Sequence, residues 1–219
     1  MPQNHVFNID CMAFMADMPD GFFDLTIADP PYGIREAGGQ TGGSGKLKGR
    51  VFNNGYIDRW DKAPSAEFFA ELRRVSRHLI IWGGNYFNLP PSRCFICWDK
   101  VQPWPNFSQA EYAWTSFDDP AKLFRFDNRT GDKIHPTQKP VELYAYCLRT
   151  FAHEGWRIFD PMMGSQSSRI AAYKMGYDYW GCEIDRQYFD EGCQRFEADC
   201  QGITTLPDGH QIIQKSLFD

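Results

Sequence analysis

The chain has 219 residues, 42% of them hydrophobic and 23% charged, and a net charge of −5. That length fits one well-buried domain. The charge excludes a protein that coats nucleic acid through bulk basicity, and no apolar stretch reaches the roughly 18–20 residues of a membrane span. The amino terminus lacks the basic-then-apolar layout of a secretory signal. The seven cysteines, an odd number at irregular spacing, read as reduced thiols, so a cytoplasmic protein without a membrane partner is expected.

In chain order, strand-like runs rich in Val, Ile, Phe or Trp occur at "HVFNID" (5–10), "DLTIA" (24–28), "HLIIWGG" (78–84), "RCFICW" (93–98), "EYAWTSF" (111–117), "WRIFD" (156–160) and "DYWGCEI" (178–184). Helical spacing joins Phe68, Phe69, Leu72 and Val75, then Val141, Tyr144, Leu148 and Phe151, and finally Phe189, Cys193 and Phe196. Strands alternating with helices predict an α/β domain with a mainly parallel sheet. The runs at 93–98 and 111–117 follow each other without a helix, which predicts an antiparallel hairpin at one edge of a mixed seven-stranded sheet. Cys94 and Cys97 have zinc-like spacing but no second pair, and no metal is expected there.

The stretch at 35–55 is the one low-complexity segment, rich in glycine, and lies in a candidate mobile loop over 35–62; residues 34–62 carry six basic residues against three acidic, a local charge of +3. It is not a P-loop, because Gln40 and Leu47 occupy the places of the first glycine and the hydroxyl residue. Two readings remain: a plain flexible linker, or a mobile loop that contacts DNA through Arg35, Lys46, Lys48 and Arg50.

Two apolar runs end in Asp-Pro: "IADPPYG" (27–33) and "IFDPMMGS" (158–165). Proline lacks an amide hydrogen and ends strands in many proteins, so neither run alone carries function. In an open parallel sheet, however, ligands collect outside the carboxyl ends of strands where the strand order reverses, and two such ends could border one crevice. The second run leads through a glycine turn and a helix to "WGCEID", with Glu183 nineteen positions beyond Gly164. That is the spacing of an acidic residue that holds ribose hydroxyls.

"DPPY" (29–32), "HPTQKP" (135–140), "DPMMGS" (160–165) and "GCEID" (181–185), in that order, resemble the amino-methylating DNA methyltransferases. The motif order is similar to that of their β group, a circularly permuted arrangement. The likeness runs from Asp10 to about Phe196. It implies a Rossmann-like, S-adenosylmethionine-dependent methyltransferase fold in one domain over residues 1–200, double-stranded DNA as partner, and an exocyclic base amine as methyl acceptor. A tetrad that begins with aspartate points to adenine N6, with cytosine N4 as the alternative. Membership of a restriction-modification pair and a homodimer are further expectations.

By the same resemblance, the Asp29 carboxylate and the Pro30 carbonyl accept the two N–H groups of the amine, and Pro31 helps to fix the backbone. Charge-assisted bonds of this kind are the stronger sort. A base cannot be reached inside a duplex, so it is flipped out. Tyr32 would replace its lost stacking, an interaction worth about 1–3 kcal/mol. Asp160, Met162, Gly164, Ser165 and Gln166 would surround the methionine part of the cofactor, with Glu183 on the ribose, Asp10 near the adenine edge, Thr137 and Lys139 closing over the methionine end, and Asp29 also counted among the cofactor-binding residues. His135 is given no proton-transfer role.

Where the family usually has a second glycine, this sequence has Gln166. Either the side chain points away from the cofactor or binding is weakened. The weakened case would leave a catalytically silent DNA-binding or clamp-binding module of the same fold. Related tetrads also act on RNA and on glutamine side chains. Residues 201–219 form a tail that ends in "QKSLFD"; Gln214, Leu217 and Phe218 resemble the peptide that docks on the bacterial sliding clamp, the alternative being a segment folded back on its own core.

Overall fold

The computed structural model describes residues 2–34, 62–103, 108–127, 134, 137–205 and 211–213. Among them, β1 (Asn4–Phe7), α1 (Cys11–Ala16), β2 (Phe23–Ala28), α2 (Ala66–Val75), β3 (Ser76–Trp82), β4 (Phe95–Asp99), β5 (Ala110–Thr115) and β6 (Lys122–Arg125) come first. α3 (Val141–Phe151), β7 (Arg157–Asp160), α4 (Ser167–Lys174), β8 (Asp178–Cys182) and α5 (Arg186–Phe196) follow. All seven predicted strand runs and all three predicted helices are present, with ends shifted by a few residues.

The main sheet has the order β1-β8-β7-β2-β3-β5-β4-β6. β2 is buried along its whole length, as a strand between two parallel neighbours must be. Side chains alternate across the sheet as the pleat requires. Ile80, Trp82, Ile158 and Tyr179 join α3 and α4 in one core, while Leu79, Ile81, Phe159 and Trp180 join α1 and α2 in the other. The result is a three-layer, mixed-sheet α/β fold.

β7 runs through α4 to β8 on one side of the sheet, and β2 runs through α2 to β3 on the other. β7 and β2 are therefore parallel neighbours at the point where strand order reverses, with Leu25 opposite Ile158 and Thr26 opposite Phe159. The two Asp-Pro strand ends thus lie side by side. The first strand, β1, does not neighbour β2 but closes the far edge against β8, pairing Phe7 with Cys182. This half of the sheet is thus assembled from both ends of the chain.

The sheet has eight strands, not seven, and the hairpin is not its edge. β4 and β5 are antiparallel as expected, but β6 pairs in parallel with β4 and covers it. β6 is four residues long, follows Pro120, and alternates Lys122 and Phe124, half-buried, with the exposed Leu123 and Arg125. A run so short has too few apolar positions to register as a period. The segment after Phe196 is also less featureless than expected: a π-helical turn (Glu197–Gln201) leads into a two-stranded antiparallel ribbon, β9 (Ile203–Thr205) with β10 (Gln211–Ile213).

Candidate functional site

The loop leaving β2 carries Asp29 to Tyr32. The paired prolines cannot donate to a ladder, so strand pairing ends and the chain turns over the sheet. The Asp29 side chain is only 15% exposed. Its Oδ1 accepts from the Tyr32 hydroxyl at 2.9 Å and from Lys139 Nζ at 2.5 Å. Tyr32 lies nearly parallel to Tyr86, with ring centroids 5.0 Å apart, and has Phe87 edge-on. Glycine at 83 is required twice over. Its φ of +69° is left-handed, and a Cβ there would come within 2.2 Å of the Tyr32 ring.

Lys139 arrives from the segment before α3 with its side chain 4% exposed. Its ammonium lies 3.2 Å from Glu111 Oε2 and 3.2 Å from the Tyr32 hydroxyl, in addition to Asp29. Glu111, at the start of β5, pairs in turn with Lys100. Burial opposes ionisation of Glu111, but Lys139 and Lys100 outweigh it and hold the carboxyl down at about 2. For Asp29 burial wins: it pushes the group above the ordinary carboxylate value, against the pull of Lys139 and with the help of the Glu111 charge. Beside this cluster opens a cleft of about 350 Å³, lined by Tyr32, Gly83, Tyr86, Cys97, Glu111 and Tyr112 among others. That volume is within the range of small-molecule sites.

The second strand end is held by its own carboxylate. Asp160 is fully buried; its Oδ1 accepts from the Met162 amide at 3.0 Å and its Oδ2 from the Ser168 hydroxyl at 2.6 Å. Burial raises it to about 7, opposed by those two bonds and reinforced by the charges of Asp29 and Glu183. Asp160 therefore feels both predicted halves of the site. Glu183, 8% exposed at the end of β8, accepts from the Gly164 amide through Oε2 and from the Asp185 amide through Oε1, each at 2.9 Å. A carboxylate has about four acceptor positions, so Glu183 keeps capacity for two further donors.

The backbone of Gln166 has the left-handed conformation of a glycine, with φ +60° and ψ +25°, and the residue begins α4. Its side chain turns away from the crevice, toward α5. There Nε2 donates to the Phe189 carbonyl at 3.1 Å, and Oε1 accepts from Arg169 at 2.7 Å. Space for it exists because residue 192 is glycine: a Cβ there would stand 2.6 Å from Gln166 Cγ. Gly192→Ala gains about 1 kcal/mol of helix propensity. It also displaces a buried side chain bonded at both ends, at an overpacking cost of about 1–3 kcal/mol plus lost hydrogen bonds. The expected net result is a loss of about 2 kcal/mol, read as a lower Tm in thermal unfolding and largely recovered when Gln166→Gly is added.

Of the other predicted residues, Met162 is half-buried and Ser165 buried, with its carbonyl held by Arg195 at 2.8 Å. Asp10 is exposed and caps α1, accepting from Met12 and Ala13 beside the β8 end that carries Glu183. Thr137 is exposed. Lys139 makes its ion pairs on the Asp29 side. His135, Arg35, Lys46, Lys48, Arg50, Gln214, Leu217 and Phe218 lie outside the described residues. Cys94 is buried in the core while Cys97 lines the cleft, so the two thiols face different surroundings.

Sequence reasoning missed Glu111, Lys100, Tyr86, Arg195 and Gly192. A lone acidic residue at the start of an otherwise apolar strand, as at Glu111, was the one signal available. Among the described residues no helix is long and apolar enough to cross a membrane.

The model of the DNA methylase family N6_N4_Mtase matches residues 81–194. The Escherichia coli (strain K12) protein YubD, named as a methylase, is 24% identical over 218 residues, covering 86% of this chain and 88% of its own. The type II methyltransferase M2.MboI of Moraxella bovis is 23% identical over 248 residues, covering 88% and 87%. Among solved structures, the M1.HpyAVI–SAM complex superposes with a TM-score of 0.59 at 18% identity, covering 89% of this chain and all of the other. The cytosine-N4-specific PvuII DNA methyltransferase gives 0.58 at 13% identity, covering 88% and 86%.

Proposed function

This chain belongs to the N6_N4_Mtase DNA methylase family, and on that premise we propose that it methylates the N6 amine of adenine in a specific sequence of double-stranded DNA, with S-adenosylmethionine as donor. The observation that carries this reading is that β2, β7 and β8, which lead into Asp29, Asp160 and Glu183, lie side by side at the reversal point of the sheet. When bound, S-adenosylmethionine supplies a methyl group on a positively charged sulfur that keeps the bonding electron pair as the methyl leaves.

The residues present fit that donor. Glu183 retains acceptor capacity for the ribose hydroxyls, and the Gln166 side chain leaves the mouth of the glycine turn clear. Asp160, Met162, Gly164 and Ser165 form the turn, and Asp10 stands by the β8 end. Asp29 and the Pro30 carbonyl accept the two amine hydrogens and so direct the nitrogen lone pair. This is positioning catalysis, and it needs no group that titrates near neutrality. Asp29 also balances the positive charge that the nitrogen gains, and its carboxylate can accept the proton that the nitrogen then sheds. Tyr32 offers the flipped base its face, in a cleft of suitable size.

The acceptor is assigned to adenine because the tetrad begins with aspartate. Cytosine N4 is the competing acceptor, since a cytosine-N4-specific enzyme has the same fold. Arg35, Lys46, Lys48 and Arg50 are proposed to contact phosphates. The "QKSLF" tail is proposed as a sliding-clamp peptide, and a homodimer as the assembly. Incubation with methyl-tritiated S-adenosylmethionine and duplex DNA, RNA or protein, followed by nucleoside digestion, tests the reading. Label in N6-methyladenine is expected. Label in N4-methylcytosine would reassign the base, and label only in RNA or protein would overturn the proposal.

A further inference from the structure

Among the described residues Lys139 is the one buried ammonium in the cluster around Asp29, and three oxygens surround it: Asp29 Oδ1 at 2.5 Å, the Tyr32 hydroxyl at 3.2 Å, which accepts a hydrogen bond from it, and Glu111 Oε2 at 3.2 Å, an ion-pair contact in which that buried oxygen accepts no hydrogen bond. Two carboxylates therefore share the Lys139 ammonium. From α3, Tyr144 also faces this ammonium, and Lys100, with its side chain 14% exposed, pairs with Glu111 from the rim. Tyr32 and Glu111 both line the cleft, so the arrangement sits in the wall that a flipped base would meet.

We propose that Glu111 is a positioning residue for methyl transfer: it holds the Lys139 ammonium between two carboxylates, so that Asp29 is oriented by the cation without being neutralised by it. The inference rests on the methyltransferase reading. Were Glu111 uncharged, the ammonium, already 2.5 Å from Asp29, would have that carboxylate as its one counter-charge, and Asp29 would be a poorer acceptor for the amine hydrogens and a poorer partner for the charge growing on nitrogen. With Glu111 ionised, the pull of Lys139 is divided between two carboxylates, and Lys100 balances the second of them from the rim. Glu111 acts through Lys139 and need not touch the base.

The test is a cycle of Glu111→Gln, Lys139→Met and the double variant, read by single-turnover methylation of DNA with separate titrations of S-adenosylmethionine and DNA affinity. Glu111→Gln is expected to slow transfer by about 10- to 100-fold, on the scale of losing one preorganised electrostatic contact, with both affinities within about threefold of the parent. Glu111→Asp is expected to recover part of the rate. In the Lys139→Met background, the Glu111→Gln change is expected to cost less than about threefold, because the cation it would steer is gone.

An unchanged rate in Glu111→Gln, an equal loss with and without Lys139, or a loss confined to affinity would overturn the inference. Should Glu111→Gln lose its cooperative thermal transition, the same cycle with Glu111→Asp decides by the same criterion. A parent protein that transfers no methyl to DNA would instead overturn the reading on which the inference stands.

Discussion

Asp29→Ala is expected to lower the single-turnover rate of DNA methylation by about 10³-fold, the upper end of what removing one preorganised electrostatic group costs, while leaving S-adenosylmethionine affinity within about threefold. The rate falls because the amine loses the acceptor that directs its lone pair and the charge that balances its developing cation. Cofactor affinity is spared because the glycine turn is held by Asp160 and Glu183, not by Asp29. The variant leaves the Lys139 ammonium buried, which on its own would be costly. Glu111 remains 3.2 Å away as counter-charge, so the fold should survive. Asp29→Asn keeps the shape and one acceptor but not the charge, and is expected to fall between the two. A rate for Asp29→Ala near that of the parent would remove Asp29 from the reaction.

Glu183→Ala is expected to give the opposite pattern: S-adenosylmethionine binding weakened by about 10²-fold in calorimetric titration, with the rate at saturating donor within a few-fold of the parent. Two causes add. Donors to a carboxylate are worth roughly 1.5–3 kcal/mol each, so losing the two ribose contacts accounts for about two decades at the lower end of that range. The variant also strands the Gly164 and Asp185 amides, which lose their acceptor, and loosens the turn that the donor must rest against. Glu183→Gln keeps an acceptor for one of those amides and should lose less. Relief of its repulsion should at the same time lower Asp160 from its raised value. Unchanged affinity in Glu183→Ala would detach the β8 end from the cofactor site.

The elements themselves were legible in the chain because each rests on local patterning. Phe68, Phe69, Leu72 and Val75 repeat at helical spacing and are all buried on α2, and the aromatic and β-branched runs became strands. β6 was not legible, since Lys122 to Arg125 offers two apolar residues in four, one of them exposed, and pairs only because β4 presents a free edge. The same omission made the β4–β5 hairpin look like the sheet margin. Gln166 looked like a defect in a glycine turn. The room for its side chain depends on Gly192, twenty-six residues later and on another helix, which no local pattern connects to it.

The two Asp-Pro strand ends, the acidic residue after β8 and the motif order were set by sequence alone, because backbone chemistry and residue spacing act over a few positions. That those ends lie side by side was decided by the tertiary structure, through the parallel pairing of β2 with β7. It also decided that Lys139 serves Asp29 and Glu111 together, an arrangement among residues 29, 111 and 139 that exists only after burial has removed the water separating their charges.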